Sequence, residues 1–242
     1  MYQWLLENLK KYYIFVKVLK KKESGEVLLY RHKQLGNYVV VKKLRGIYPA
    51  YERLVGLKQE HLPLIYEACH IEEETMILEE FIPGITIAER LEQETLSESY
   101  VKEIISQVCD GLYAMHLNQI IHRDIKPSNV MLGNNDEVFL LDVNVAKKYA
   151  PDQLEDTKLL GTLYYAAPEQ VGFGYGASTP KTDIYALGVL LNVLITGKLP
   201  KEEKAKGEVW VIVDRCIKLD PEERYSDEEL LSVLNTYLEK GV

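Results

Sequence analysis

The stretch "IIHRDIKPSNVML", Ile120 to Leu132, places a histidine, an arginine, an aspartate, a lysine and an asparagine within eight positions. Apolar residues flank this polar segment on both sides. Burying an unpaired charge costs several kcal/mol, which is comparable with the stability of a whole domain. The pattern therefore indicates that these polar side chains are kept for chemistry.

The composition limits the classes of protein to which the chain can belong. Its 242 residues, 47% of them apolar, can bury a large core in one compact unit or two closely packed lobes. A formal net charge of -8 argues against nucleic-acid binding, which needs a basic surface for phosphate contacts. The cysteines lie far apart without metal or redox spacing, which predicts buried free thiols in a reducing compartment.

Two features of the sequence argue against a secreted or membrane-spanning protein. The start "MYQWLLENLKKYY" lacks a long apolar core followed by a small-residue cleavage site. The longest apolar run, Ile184 to Thr196, is shorter than the roughly 20 residues of a bilayer span, so a buried core helix is predicted there. These patterns predict a cytoplasmic protein without a membrane partner, and they do not specify its oligomeric state.

The first part of the chain has the pattern of a sheet. Residues 12–44 contain three strand-like segments separated by turn residues, which predicts an antiparallel meander: "YYIFVKVL", "GEVLLYR" and "NYVVVKKL". A short helix is predicted in "YERLVGLKQ" (51–59) and two more strands in "LPLIYEACHIEEETMILEEF" (62–81).

Helical periodicity begins after Gly84. Apolar residues recur at helical spacing from Val101 to Met115, which predicts a long amphipathic helix that ends just before the opening stretch. Further helices are predicted from Asp183 to Ile195 and from Ser226 to Leu238, with Ser226 as N-cap. Because the sheet precedes the helices, we expect an α+β chain with two lobes and a cleft between them.

Three side chains in and after the opening stretch suit one reaction. Asp124, Asn129 and Asp142 carry the hard oxygen ligands or bases that magnesium-assisted phosphoryl transfer uses to hold the metal and to orient a hydroxyl. The sequence therefore predicts a nucleotide site.

The segment "HRDIKPSN" (122–129) resembles the catalytic loop of the eukaryotic-type protein kinases, and "DVN" (142–144) stands in the place of their magnesium-binding DFG motif. The other matches follow in the family's order: "VVVK" (39–42), "GTLYYAAPEQ" (161–170), "DIYALG" (183–188), and Arg224 as the arginine that pairs with Glu169. Motifs in the correct order are far more specific than any one alone. The residues of these motifs are most similar to those of bacterial serine/threonine kinases.

The resemblance implies one protein kinase domain over residues 1–242, with a β-rich lobe (1–82), a helical lobe (83–242) and an ATP cleft between them. It implies that Asp124 accepts or orients the proton of the substrate hydroxyl and that Lys126 stabilises charge on the transferred phosphoryl group. Asn129 and Asp142 would hold Mg²⁺.

The resemblance also implies an ATP site. Lys42 would contact the α- and β-phosphates, and Glu52, ten residues later, would pair with Lys42. The remaining residues implied at the nucleotide are the adenine-sandwiching Val27, Val40 and Met131, the hinge residues Glu80, Phe81 and Ile82, and Gly25 of the glycine-rich loop.

The chain departs from the family pattern at three places. In the glycine-rich loop, Lys20 and Lys22 replace two glycines, and either their ammonium groups reach the phosphates or Lys20 to Lys22 form a solvated hairpin tip. Val143-Asn144 replaces Phe-Gly, where asparagine tolerates unusual backbone angles and can substitute for glycine. The short segment between Gly197 and Val209 implies trimmed helices and a reduced substrate-docking surface.

Three functions compete. The leading one is ATP- and magnesium-dependent phosphoryl transfer to serine or threonine of a protein substrate, because "DIKPSN" and Thr162 resemble serine/threonine kinases. The second is a pseudokinase that acts as a nucleotide-binding or interaction module. The third, a small-molecule kinase of related fold, is disfavoured by "GTLYYAAPEQ".

A phosphorylated Thr157 beside Arg123 and Lys147 or Lys148 is a further hypothesis, and an unmodified loop threonine is its alternative.

Overall fold

The computed structural model of the chain describes residues 2–148, 163–172 and 176–239. The chain divides into two compact units. The first comprises Met1–Gln59 and Pro63–Pro83, and the second comprises Glu60–Leu62 and Gly84–Val242.

The first unit is built on a five-stranded antiparallel sheet with strand order β1-β2-β3-β5-β4. Its elements are α1 (Tyr2–Tyr12), β1 (Tyr13–Lys22), β2 (Gly25–His32), β3 (Tyr38–Arg45), α2 (Pro49–Leu54), β4 (Ile65–Ile71) and β5 (Glu74–Glu80). All five predicted strands are present, and the short helix predicted within 51–59 is present as Pro49–Leu54, so it ends before Leu57. Their valine- and isoleucine-rich sequences suit the pleated surface because branched side chains pack well on it.

Helix α1 covers one face of this sheet and was not predicted. Leu5 and Leu9, one helical turn apart, are buried in a cluster with residues of four strands: Leu28, Val39, Val41, Cys69, Met76 and Leu78. Because side chains alternate along a strand, Val39 and Val41 face α1 whereas Val40 and Lys42 lie on the opposite face.

A two-residue turn joins β1 to β2, so that Lys22 lies opposite Gly25. Gly25 has φ +144°, and a Cβ atom there would come 2.2 Å from the carbonyl oxygen of Lys43. Glycine is therefore required for the close approach of β2 to β3. Lys20 to Lys22 form the exposed end of β1, in the position of the predicted hairpin tip.

The second unit is mainly helical and carries two small sheets, one of order β6-β8-β9 and one that pairs β7 with β10. Its elements are β6 (Gly84–Thr86), α3 (Ile87–Leu91), α4 (Glu98–Leu117), β7 (Ile120–Ile121), β8 (Val130–Gly133), β9 (Val138–Leu140), β10 (Lys147–Lys148), α5 (Pro180–Thr196), α6 (Gly207–Cys216) and α7 (Asp227–Glu239). The α+β class is confirmed, although α1 precedes the sheet and α2 lies between β3 and β4.

The three helices predicted in this unit are present. The apolar stripe of α4 is buried, and α5 buries most of its length, as expected for a core helix. Ser226 accepts from the backbone N–H of Glu229 (3.2 Å) and donates its own N–H to the Glu229 carboxylate (2.8 Å), which confirms it as an N-cap. Helix α6 was not predicted.

Within the described ranges, no helix combines the length and the apolar character that a membrane crossing requires.

Candidate active site

In the first unit, Lys42 lies at the centre of a buried polar group. Its Nζ is 2.9 Å from Oε1 of Glu79 on β5, and the exposed fractions of the two side chains are 5% and 8%. The same Nζ donates to the hydroxyl of Tyr51 on α2 over 3.2 Å. A buried ammonium group is tolerated because it is paired and hydrogen-bonded.

The predicted pairing of Lys42 with Glu52 is wrong in this structure. Oε1 of Glu52 is 2.9 Å from Nδ1 of His70, and the Glu52 side chain is 45% exposed. Helix α2 is only six residues long, and it turns Tyr51 rather than Glu52 towards Lys42. Residues adjacent on a helix point in different directions, so one position separates a buried contact from an exposed one.

The residues expected around adenine are distributed over both units. Val27 is half-buried on β2, Val40 is buried on β3, and Met131 is half-buried on β8 of the second unit. In the expected hinge, Glu80 ends β5 and its N–H donates to Leu64 O over 2.8 Å. The Phe81 ring lies 5.9 Å from the Tyr38 ring, and Ile82 is buried.

The opening stretch forms a compact polar loop in the second unit. Lys126 Nζ lies 2.6 Å from Asp124 Oδ2, and Nδ2 of Asn129 donates to the backbone oxygen and to Oδ2 of Asp124, each over 2.9 Å. These bonds fix the direction of the Asp124 carboxylate, whose side chain is 15% exposed. The predicted grouping of Asp124, Lys126 and Asn129 is therefore present in the fold.

Strand register brings Asp142 to the same end of the β8–β9 hairpin as Asn129. Val130 lies opposite Leu140, and Leu141 N donates to Asn129 O over 2.8 Å. Asp142 has a left-handed backbone (φ 66°). Asn144 lies in a 3-10 helix, Val143–Val145, and its Nδ2 donates to Asp142 Oδ1 over 3.2 Å. The left-handed residue of "DVN" is thus Asp142, and Asn144 does not take the backbone conformation of a glycine.

These donors suit Mg²⁺. The Asn129 amide nitrogen is directed at Asp124, so the amide oxygen is the atom that can meet a cation. Mg²⁺ takes oxygen ligands and is commonly held by one or two carboxylates together with phosphates and waters. In the described residues no three His, Cys, Asp or Glu side chains converge on a metal site.

Asp183 on α5 hydrogen-bonds to the backbone of this loop. Its carboxylate accepts from the backbone N–H groups of His122 and Arg123, each over 2.7 Å. Buried His122 places Nε2 3.0 Å from Leu141 O and accepts from Asp124 N at Nδ1 over 3.3 Å. Burial lowers the pKa of His122, so it is neutral and serves as a structural link between the two aspartate-bearing segments.

A histidine on α4 extends this anchor. His116 Nε2 is 2.9 Å from Asp183 Oδ2, and its Nδ1 is 2.8 Å from Asp227 Oδ1. Burial alone would lower the pKa of His116, but the hydrogen bonds to Asp183 and Asp227 outweigh it and raise the pKa to about 9. Burial likewise favours the neutral form of Asp183, yet the bond from His116 leaves its pKa lowered. Asp183 is therefore an ionised carboxylate and His116 an imidazolium that is also hydrogen-bonded to Asp227.

The predicted ion pair between Arg224 and Glu169 is confirmed. It is bidentate, with N–O distances of 2.7 and 2.9 Å, and both side chains are fully buried. Thr182 donates to the same carboxylate over 2.7 Å. The neighbouring Gln170 donates to the Arg123 backbone oxygen over 2.9 Å, which ties this segment to the catalytic loop.

Gly161, Thr162 and Thr157 lie outside the described residues, as do the side chains of Lys147 and Lys148.

Glu79, Tyr51 and His116 were not predicted from the sequence. A carboxylate in the apolar strand "TMILEE" that shares a sheet face with Lys42 was the available signal for Glu79. His116 precedes the polar loop by only six positions, but nothing in the local pattern indicates its two distant aspartate partners.

Comparison with known proteins agrees with this geometry. The chain is 30% identical to mitogen-activated protein kinase kinase 2 of Arabidopsis thaliana over 94% of its own length and 73% of that protein's. It is 32% identical to the serine/threonine-protein kinase Pkn1 of Myxococcus xanthus, over 76% of its own length and 29% of that protein's. With the probable serine/threonine-protein kinase PknB of Lactococcus lactis the identity is 33%, over 61% and 23%.

The chain thus spans less than a third of the length of either bacterial protein. The match to a whole family is broader, because the protein kinase domain aligns with residues 14–240 and so includes the catalytic loop, the "DVN" segment and the Arg224–Glu169 pair. This chain belongs to the protein kinase family.

Proposed function

We propose that this protein transfers the γ-phosphoryl group of ATP to serine or threonine hydroxyls of protein substrates, with Mg²⁺ required. The observation that carries the proposal is the loop in which Asp124 is held by Lys126 and Asn129, beside a hairpin end that presents Asp142. Little covalent chemistry is needed for phosphoryl transfer, so fixed positions and charges account for most of the rate.

Each side chain has a distinct role in this proposal. Asp124 accepts or orients the proton of the attacking hydroxyl, and Lys126, which already contacts that carboxylate, neutralises charge on the transferred group. Asn129 and Asp142 would hold Mg²⁺, which supplies charge neutralisation at the phosphates when bound. Lys42 contacts the α- and β-phosphates.

The nucleotide base has proposed contacts as well. Val27, Val40 and Met131 enclose adenine, and the backbone of Glu80, Phe81 and Ile82 hydrogen-bonds its edge. Gly25 keeps the β1–β2 hairpin close to β3. We also propose that the domain comprises residues 1–82 and 83–242 as its two lobes and that it acts in the cytoplasm, since all three cysteines are buried and free.

The proposal is tested by phosphate transfer from labelled ATP to a generic protein substrate with wild type and Asp124→Asn. We expect the variant to keep ATP affinity within about threefold and to lose turnover by roughly 10²- to 10⁴-fold, because the carboxylate acts in the transition state rather than in ground-state binding. Turnover of the variant within a few-fold of wild type contradicts the mechanism.

A second candidate function is a pseudokinase that binds nucleotide or a partner without transfer. It is favoured by the exposed lysines 20–22 in place of a glycine-rich loop and by Asn144 in place of a glycine. ATP binding by the wild-type protein without any ADP formation would support it over the first.

A further inference from the structure

The carboxylate of Glu79 belongs to the same sheet as Lys42, in the neighbouring strand. Val40 lies opposite Glu79, and Lys42 lies opposite Ile77. Opposed residues of an antiparallel pair project from one face, so Lys42 and Glu79 are diagonal neighbours within reach of long side chains. The observed distance of 2.9 Å between Nζ and Oε1 follows from this register.

The Lys42–Glu79 ion pair is almost completely buried. With 5% and 8% of the side chains exposed, water does not screen the two charges. The Tyr51 hydroxyl contacts the ammonium group at 3.2 Å from a third direction. The Lys42 head group is thus located by a charge in the sheet and by a hydroxyl on α2, while Glu52 faces His70.

We propose that Glu79 is the positioning residue for Lys42: from β5, it holds the ammonium group in place for the phosphates of ATP, without a carboxylate from α2. This inference rests on the proposed function, because it assigns the partner of the lysine in that same site. Glu79 acts only through Lys42 and does not touch the nucleotide in this proposal.

The experiment is a double-mutant cycle of Lys42→Met and Glu79→Gln, with kcat and KM for ATP measured for all four proteins. We expect Glu79→Gln alone to lower kcat on the order of 10- to 100-fold, as expected for a misplaced phosphate contact. In the Lys42→Met background the same change should cost less than about twofold, since residues that act as one unit are not additive.

Charge and position are separated by further variants. Glu79→Asp retains the charge with a shorter reach, and it should recover most of the turnover that Glu79→Gln loses. Glu74→Gln, on the same strand, is the matched control and should stay within about twofold of wild type. Glu52→Gln should do the same, because its carboxylate pairs with His70 and not with Lys42. Thermal melts check that each variant is folded.

The outcomes separate the two proposals. Equal losses from Glu79→Gln in both backgrounds, or a loss from Glu52→Gln as large as that from Glu79→Gln, overturn the role of Glu79 and leave the kinase assignment intact. If Glu79→Gln does not fold, Glu79→Met, an uncharged side chain of similar volume, takes its place in the cycle, and a loss of turnover that is equally large without Lys42 overturns the inference. A wild-type protein that neither binds nor consumes ATP overturns the proposed function and the inference together.

Discussion

His116 is a buried cation between two carboxylates, and its charge state couples the fold to pH. Its pKa is about 9 in the folded protein and 6.5 as the ordinary value, so protonation is favoured by folding. Below pH 6.5 the imidazolium is present in both states and the stabilisation is complete. It is lost as the pH rises through 9, where the folded state must release a proton.

We therefore predict that wild type has a larger free energy of unfolding than His116→Gln at pH 6.5. This difference between the two proteins should fall by about 3 kcal/mol between pH 6.5 and pH 9.5. Urea unfolding of both proteins across that range measures the difference. His122, whose pKa is lowered by burial, acts in the opposite sense and opposes folding below pH 6.5 in both proteins. A difference that is constant with pH would show that the imidazolium is not formed in the fold.

Single residues were predictable where their partners are close in sequence. Asp124, Lys126 and Asn129 lie within six positions, and their mutual contacts are a property of one loop. The partner of Lys42 depends on which residue of β5 lies beside β3, and sequence spacing does not contain that register. The family resemblance predicted a partner on the helix, Glu52, whereas the register between β3 and β5 places Glu79 beside Lys42.

At the level of elements, α1 contributes a large share of the apolar cover of the sheet. Leu5 and Leu9 are 2% and 4% exposed, although both lie before residue 14, where the match to the protein kinase domain begins. Removing a buried leucine side chain leaves a cavity that the surroundings fill only partly.

We predict that Leu5→Ala and Leu9→Ala each lower the free energy of unfolding of this unit by about 2–5 kcal/mol. Glu7→Ala, an exposed position on the same helix, is the control and should change stability by less than about 0.5 kcal/mol. Chemical denaturation followed by circular dichroism gives these values. A Leu9→Ala protein as stable as Glu7→Ala would mean that α1 does not pack as described.

Elements were predictable where the pattern is long and regular. Strands β4 and β5 are each seven residues long, and the apolar stripe of the 20-residue helix α4 runs from Val101 to Met115. Helices α1 and α6 are 11 and 10 residues long, and isolated helices of this length are marginally stable in water, so their formation depends on the surface that they cover.

At the scale of the whole molecule, ligand binding and folding are linked. A ligand that binds only the folded chain stabilises it by about 2.7 kcal/mol at a hundredfold excess over Kd. We predict that ATP with Mg²⁺ raises the melting temperature by roughly 5–10 °C, and that EDTA or Asp142→Asn removes most of this shift. In the proposed site, the carboxylate of Asp142 would be the main fixed negative charge offered to the metal.

Thermal-shift titrations of wild type and Asp142→Asn, each with and without Mg²⁺, make this measurement. The same ATP-dependent shift under all four conditions would remove Asp142 from the metal site.

The two-unit organisation was expected from the change from strand to helix pattern near Gly84, but the assignment of residues 60–62 to the second unit was not. That assignment follows from the His61 contacts with Leu140 N and Val138 O, which join residues distant in sequence.

The placement of the Lys42 partner has a consequence for regulation. Protein kinases are commonly switched off by moving the helix that carries the partner glutamate, which breaks the ion pair. Here β3 and β5 are joined by continuous pairing from Val39 to Arg45, so the backbone positions of Lys42 and Glu79 stay fixed relative to each other when α2 moves. We therefore expect helix movement to be a poor off-switch for this protein, and inhibitory control to act on the loops of the second unit or on substrate access.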